Sequence, residues 1–439
     1  MDNESRNAGY NRSIRCTGVK FDGICQTNPE YFRKYRETIL RENNFNKLIE
    51  KVDSIHKELS SLDSFSSVIP ILNTKNGDSE VDVTFKLVES KIKCSVGSTI
   101  NKQGKVGFEL SAFIPNLLGT LSSTRLTLET FGRRSREFNL GLFTPMLLNS
   151  DVNMSYCIFN NKVDDRSTPP YANNYFGSKL KFSDKLGVNS LSLESSIRGT
   201  HANIIDNKNH YIIEKAPIRT LKNSIGYSWN KARKKFIESK DGTESDTLSQ
   251  LSIEYAGFNS DVKFIKIEAF QKWRSTLKRH IKRPFFLSNL CLNLSLGLGI
   301  LLPNFSKGKF ELKTTIHDRF FLGGNSGFHK CLMGFASGSV GPCLKEGVDL
   351  NKDLNSKPKD MYVGSNGYLS GELTLQYPLN MNKYGFSIEP NLISYVNAAT
   401  IINGNNTISM NNCNFSDKNK ILENFKRTIR ASTGIGELE

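Results

Sequence analysis

The sequence predicts a membrane β-barrel preceded by a small α+β domain, and three observations carry that prediction. The stretch "NLCLNLSLGLGILLP" (Asn289 to Pro303) places leucine or isoleucine at every second position from Leu290 to Ile300, with Cys291, Asn293, Ser295, Gly297 and Gly299 between them. Side chains of a strand alternate between two faces, so this segment has one apolar face and one small, weakly polar face. Segments of the same alternation recur from Lys91 onward at intervals of roughly 20 residues. They run about 9–13 residues, which suits a tilted transmembrane strand, whereas sandwich strands more often run about 5–6.

Composition narrows the classes further. The 439 residues carry a formal net charge of +16, and 38% are hydrophobic. No window of about 18 apolar residues exists, which excludes a helical membrane protein. With 28 Phe and 14 Tyr the chain is too aromatic to be disordered. A barrel keeps its hydropathy low because only alternate residues meet lipid. A soluble β-rich binding protein shares the alternation and stands as the alternative, which strand length disfavours.

The excess of 59 basic over 43 acidic residues fits nucleic acid, an anionic membrane surface or a basic lumen. No arginine-rich helix or basic–aromatic RNA-binding signature occurs, so no nucleic-acid partner is expected. The eight cysteines form no CxxC pair and are expected to be mostly reduced thiols. The six histidines have no metal-ligand spacing, and no P-loop, Rossmann or G-x-S-x-G motif is present. No enzyme, catalytic residue, metal or cofactor is therefore expected.

Residues 1–13 are expected to be disordered, and they lack the apolar core of a secretory signal. Residues 14–90 read as one small domain. "SIRCTGVKFDG" is a strand ending at an Asp22-Gly23 turn. Asn28 and Pro29 then start a helix as N-cap and first residue. A second helix sets Phe45, Leu48, Ile49, Val52, Ile55 and Leu59 on one face. Two strands close the domain. In the second, Val81, Val83, Phe85 and Leu87 alternate with Asp82, Thr84 and Lys86.

Residues 91–439 read as the barrel. "TRLTLETF" sets Leu126, Leu128 and Thr130 against Arg125, Thr127 and Glu129. "VNSLSLESSIRG" sets Leu191, Leu193, Ser195 and Ile197 against Ser192, Glu194, Ser196 and Arg198. "GELTLQYPL" sets Leu373, Leu375 and Tyr377 against Glu372, Thr374 and Gln376. Some connections are short and others long and polar, as in transmembrane barrels.

After the leucine ladder comes "HDRFFLGGNSGFHKCLMGFASGSVGP" (His317 to Pro342). "DRFFLGG" followed by "GF" and "GP" resembles the signature loop of the bacterial surface antigen superfamily of outer-membrane assembly and transport barrels. Within it, the sequence is most similar to the family of central barrel subunits of the mitochondrial sorting and assembly machinery. "VKFDGICQT", "EVDVTFKLVE", "ELSAFIPNLLGTLSSTRLTLETFGRR" and "MYVGSNGYLSGELTLQYPL" match in the family's order, with "PNLLG" (Pro115 to Gly119) the most distinctive piece.

The resemblance implies that residues 14–90 form a POTRA domain. It also implies a sixteen-stranded antiparallel barrel, of which about fourteen strands are visible. The ladder would be strand eleven, and residues 317–343 a loop folded into the lumen. "RTIRASTGIGELE" resembles the start of the family's fourteenth strand, so the chain is expected to lack the last two. Loop signature residues would be Asp318, Arg319, Phe320, Gly323, Gly324, Met333, Gly334 and Phe335. Met333 stands where the family carries arginine and cannot make that residue's bidentate contact. Candidate partners for the loop are Glu372 and Asn397.

A POTRA edge at Val81, Val83, Phe85 and Leu87 would accept client strands. The implied function is non-enzymatic insertion of unfolded β-barrel precursors into the outer membrane of a mitochondrion or a mitochondrion-derived organelle, aided by peripheral subunits of the complex. A translocation pore or degenerate paralogue of the same fold is the alternative.

Overall fold

The computed structural model describes residues 14–75, 80–100, 106–117, 119–131, 135–145, 151–165, 171–202, 219–236, 244–277, 290–303, 317–323, 335, 340, 343–345, 360–362, 364–378, 391–402 and 430–438. The chain divides into two compact units, Met1–Asn160 with Ser178–Lys185, and Asn161–Gly177 with Leu186–Glu439. The expected disorder of residues 1–13 lies outside the described residues.

The first unit begins with an α+β module. Strand β1 (Arg15–Asp22) leads through a 3-10 turn (Pro29–Phe32) into helices α1 (Arg33–Leu40) and α2 (Phe45–Ser61), then strands β2 (Phe65–Lys75) and β3 (Glu80–Glu89). Asn28 caps the turn, its Oδ1 accepting from the amide of Glu30 at 3.0 Å, and Pro29 follows where no donor is needed. Asn44 caps α2 by accepting from the amides of Asn46 and Lys47. Leu48, Val52, Ile55 and Leu59 of α2 are buried against the sheet, while Ile49 stays exposed. The apolar stripe is therefore narrower than the sequence predicts.

The module's sheet runs β1-β3-β2, with β1 parallel to β3 and β2 antiparallel to it. This corrects one expectation. Val81, Val83, Phe85 and Leu87 do not lie on an edge strand: β3 is central, hydrogen-bonded on both sides, and these four side chains form the core under the helices. Their strict alternation reports a strand with one face on a core, which a central strand and an edge strand display equally. The edges are β1 and β2, and Pro70 removes one backbone donor from β2.

Sixteen further strands follow among the described residues, fourteen of them in one sheet. They are β4 (Lys93–Ile100), β5 (Val106–Pro115), β6 (Ser123–Phe131), β7 (Ser135–Thr144), β8 (Val152–Asp165), β9 (Tyr171–Asp184) and β10 (Asn189–Ala202), then β11 (Arg219–Phe236), β12 (Glu244–Ala256), β13 (Phe264–Leu277) and β14 (Leu290–Pro303). After a small hairpin of β15 (Cys343–Lys345) and β16 (Asp360–Tyr362) come β17 (Gly367–Pro378), β18 (Asn391–Ile402) and β19 (Arg430–Leu438). Hydrogen bonds order β4 to β14 and β17 to β19 consecutively as one fourteen-stranded sheet. Counted from β4, the leucine ladder is the eleventh strand.

The ladder's two faces separate cleanly. Leu292, Leu294, Leu296, Leu298 and Ile300 are exposed, whereas Cys291, Asn293 and Leu301 are buried. Exposed Leu193, Ile225, Ile253, Ile265, Leu369 and Leu373 on β10, β11, β12, β13 and β17 extend the apolar face across neighbouring strands. An apolar surface of that extent suits hydrocarbon rather than water. No described helix is long and apolar enough to cross a membrane. Cys16, Cys25, Cys94, Cys157 and Cys291 are free thiols.

A charge on the outer face should therefore cost much more than a change on the inner one. Leu296→Arg is expected to lower folding stability in bilayers by about 2–4 kcal/mol, whereas Ser295→Ala changes it little. Reversible urea unfolding in lipid vesicles measures both, and equal losses would contradict the assignment of faces.

Candidate functional site

The inner face of β14 is flat where it meets the loop that follows. Gly299 lies in register with Tyr368 of β17 and with Glu268 of β13. A Cβ on Gly299 would stand 2.2 Å from the Tyr368 ring and 2.9 Å from that of Phe320. Only glycine admits both aromatic rings here. The "DRFFLGG" segment enters this space. Phe320 is fully buried and packs edge-on against Tyr368, with ring centroids 4.9 Å apart. Leu322, Val340, Ala256, Val262, Phe264, Leu301 and Ala399 complete an apolar cluster, and Phe335 packs against it.

The backbone of the loop is paired as though it were a short strand. The amide of Phe320 donates to the Ser365 carbonyl at 2.8 Å, and that of Ser365 donates back at 2.9 Å. Val340 donates to Leu322 at 3.1 Å. Gly323 sits at φ +111° and Gly364 at φ +67°, conformations that favour glycine. At Gly364 a Cβ would also press on Arg319 and Phe321.

Beside this apolar anchor lies a buried charge cluster. Asp318 Oδ1 accepts from Arg198 Nη1 of β10 at 2.7 Å, and both side chains are 4% exposed. Lys222 Nζ of β11 stands 3.8 Å from the same oxygen and is ion-paired with Glu254 of β12. Lys266 of β13 donates to the Asp318 carbonyl at 3.2 Å, pairs with Glu268 at 3.3 Å, and lies 4.7 Å from the Phe320 ring centroid. Three cations thus meet three carboxylates. His317 joins the rim, its Nδ1 3.1 Å from the Tyr175 hydroxyl of β9. Strand phase puts these groups together, because each lies inward on its own strand.

Asp318, Phe320 and Gly323 of the predicted signature therefore converge on the inner wall, and Arg319 adjoins Gly364. Gly324, Met333 and Gly334 lie outside the described residues. The candidate partners Glu372 and Asn397 are register neighbours of each other on β17 and β18. The same row runs through Ser295 to Lys272 of β13. The tip at Met333 and Gly334, for which Glu372 and Asn397 are the expected partners, lies outside the described residues. The described base of the loop is contacted by Arg198, Lys222, Lys266, Ser365 and Tyr368, which sequence reasoning missed. The alternation already placed Arg198 inward, but nothing local pairs it with a residue 120 positions away. No metal-binding group of side chains occurs among the described residues.

Among the described residues, the arrangement holds the loop against the sheet through one apolar cluster and one cluster of buried charges. The Omp85 superfamily domain matches residues 116–436. Among solved structures, the chain is similar to BamA from Haemophilus ducreyi lacking POTRA domains 1-3, with 18% identity and a TM-score of 0.61, covering 97% of this chain and 78% of that one. It is also similar to CdiB from Escherichia coli, with 13% identity and a TM-score of 0.46, covering 90% and 67%. Comparison with curated protein sequences finds no significant match. The fold is that of a membrane β-barrel.

Removing one member of the buried cluster leaves charge without compensation. Asp318→Asn should therefore destabilise the packed loop by about 3–5 kcal/mol, and Arg198→Gln added to it should restore part of that loss. Maleimide labelling of a cysteine placed at Leu322 reports the change: it should be slow in the parent, fast in Asp318→Asn, and intermediate in the double variant. Slow labelling in all three would remove Asp318 as an anchor.

Proposed function

Because the chain belongs to the Omp85 superfamily, we propose that it inserts and assembles unfolded β-barrel precursors in the outer membrane of a mitochondrion or a mitochondrion-derived organelle. It does so without catalytic side chains, nucleotide or metal. The observation that carries this reading is the loop between the eleventh and twelfth strands, fastened to the inner wall through Asp318, Phe320 and Leu322. These residues belong to the segment by which the sequence resembles the signature loop of the bacterial surface antigen superfamily.

The energy comes from backbone pairing. A client strand in hydrocarbon has no water for its amides, and each unsatisfied group costs several kcal/mol, so any edge offering partners draws it in. Among the described residues the sheet's order ends on β4 and on β19. Either edge can template a client strand by augmentation. In the N-terminal module, read as a POTRA domain, the receiving edge is β1 or β2, since β3 is already paired on both sides. Strand β1 contains no proline, so each of its residues keeps a backbone donor. Peripheral subunits of the sorting complex and the bilayer itself are the further partners.

The reading is tested with purified protein in lipid vesicles and a urea-unfolded porin-type precursor. The folded fraction, followed by heat-modifiable gel mobility, should rise faster than in protein-free vesicles. In cells, depletion should lower porin levels while the protein fractionates as a carbonate-resistant outer-membrane component. Normal porin assembly after depletion would overturn the proposal.

A further inference from the structure

We infer that the connection between β5 and β6 is a docking element for the N-terminal module, so that the module and the first hairpins are joined by a built interface as well as by the chain between β3 and β4. Four observations within the first unit carry this, and none of them depends on the proposed function.

The first is apolar. Leu121 is 2% exposed and belongs to the module's own core, in one cluster with Phe32, Val68 and Leu87. A residue of the β5–β6 connection thus completes a core built by another part of the chain. The second is a chain of buried polar groups. Glu89 Oε1 at the end of β3 accepts from Thr27 Oγ1 at 2.7 Å and from the Thr27 amide at 2.9 Å. Thr27 Oγ1 in turn accepts from Asn116 Nδ2 at 2.7 Å, and Asn116 Oδ1 accepts from the Leu121 amide at 3.0 Å. Two more bonds cross directly: the Asn28 amide donates to Gly119 O at 2.9 Å, and Ser64 Oγ donates to Leu121 O at 3.0 Å. Thr27, Ser64 and Asn116 are almost wholly buried, so each of these bonds is costly to lose.

The third observation is backbone conformation. Asn116, Gly119 and Leu121 have φ of +52°, +67° and +60°. Leucine at positive φ is strained, and such strain persists only where surrounding contacts over-determine it. Gly119 has no alternative, since a Cβ there would stand 2.5 Å from the carbonyl oxygen of Gln26. The fourth is electrostatic. Burial pushes the Glu89 carboxyl up, but hydrogen bonds from Thr27, Gln26 and Cys25 outweigh it and hold the group below the ordinary carboxylate range. Glu89 is thus a charged acceptor matched to this site.

Two surface ion pairs lie on the same end of the strands. Lys34 meets Asp151 at 2.9 Å before β8, and Lys185 after β9 meets Glu58 at 2.6 Å. Lys34, Asp151 and Lys185 reach solvent although Glu58 is largely covered. Ion pairs with such exposed members contribute little and are screened by salt, so the buried clamp should carry the attachment.

The test severs the covalent link. A site-specific protease sequence inserted after Lys91 is cleaved in the folded full-length protein in detergent. The freed module should co-elute with the barrel on size exclusion, also in about 1 M NaCl, where the Debye length is roughly 3 Å. Asn116→Ala and Gly119→Ala should release it, with heat-modifiable mobility showing that the strands remain folded. The Lys34→Ala/Lys185→Ala variant should retain it. Release of the unsubstituted module on cleavage or in high salt would overturn the inference, as would equal retention in Asn116→Ala and Gly119→Ala.

Discussion

A strand that crosses hydrocarbon must satisfy its amides sideways, because no water is available to do so. The large sheet of this molecule is arranged by that constraint. Sideways pairing forces an extended backbone, and an extended backbone sends successive side chains to opposite faces. The outer face is then committed to leucine, isoleucine and valine, as along β14. The inner face is left free to be small, polar or charged, and it is there that the loop is held. A one-residue slip in register would exchange the two faces and put Arg198 and Lys222 into lipid.

The inner wall holds its loop by two unlike means. Phe320, Leu322 and Tyr368 exclude water around β14, where Gly299 leaves space that any larger residue would fill. Asp318 is then seated in that dry setting between Arg198 and Lys222. A buried ion pair is a weak source of net stability, since desolvation offsets most of its attraction, yet it penalises every misplaced arrangement heavily. The apolar contacts therefore favour the packed loop, while the charges select one position for it.

The β5–β6 connection repeats this scheme in the first unit. Leu121 enters a core made by the module, and a line of buried hydrogen bonds from Glu89 through Thr27 and Asn116 sets its position. In both places a connection between strands contributes buried apolar and polar side chains to a surface built elsewhere. Both connections also use positive φ, at Gly323 in one and at Asn116, Gly119 and Leu121 in the other. At Leu121, a bulky residue, such backbone is strained and marks a segment whose shape is imposed from outside.

What the sequence determined by itself was periodicity and its consequences. The period of two assigned Leu292 to Ile300 to one face and Asn293 to Gly299 to the other, and the helical spacing of Leu48, Val52, Ile55 and Leu59 identified the face of α2. These are local properties, fixed by the geometry of one strand or one helix. Capping at Asn28 was legible for the same reason. The DRFFLGG segment was legible as a motif, and the small face of β14 already implied that something would pack there. Only the tertiary structure decided which strand lies beside which. It moved Val81, Val83, Phe85 and Leu87 from an expected edge to the centre of their sheet, because alternation records a buried face and is blind to what pairs with the backbone. It set Glu372 beside Asn397, and it joined Asp318 to Arg198 and Leu121 to Ser64. Such contacts join residues distant in sequence, and no local spacing encodes them: they arise when register and packing bring separate strands to one place.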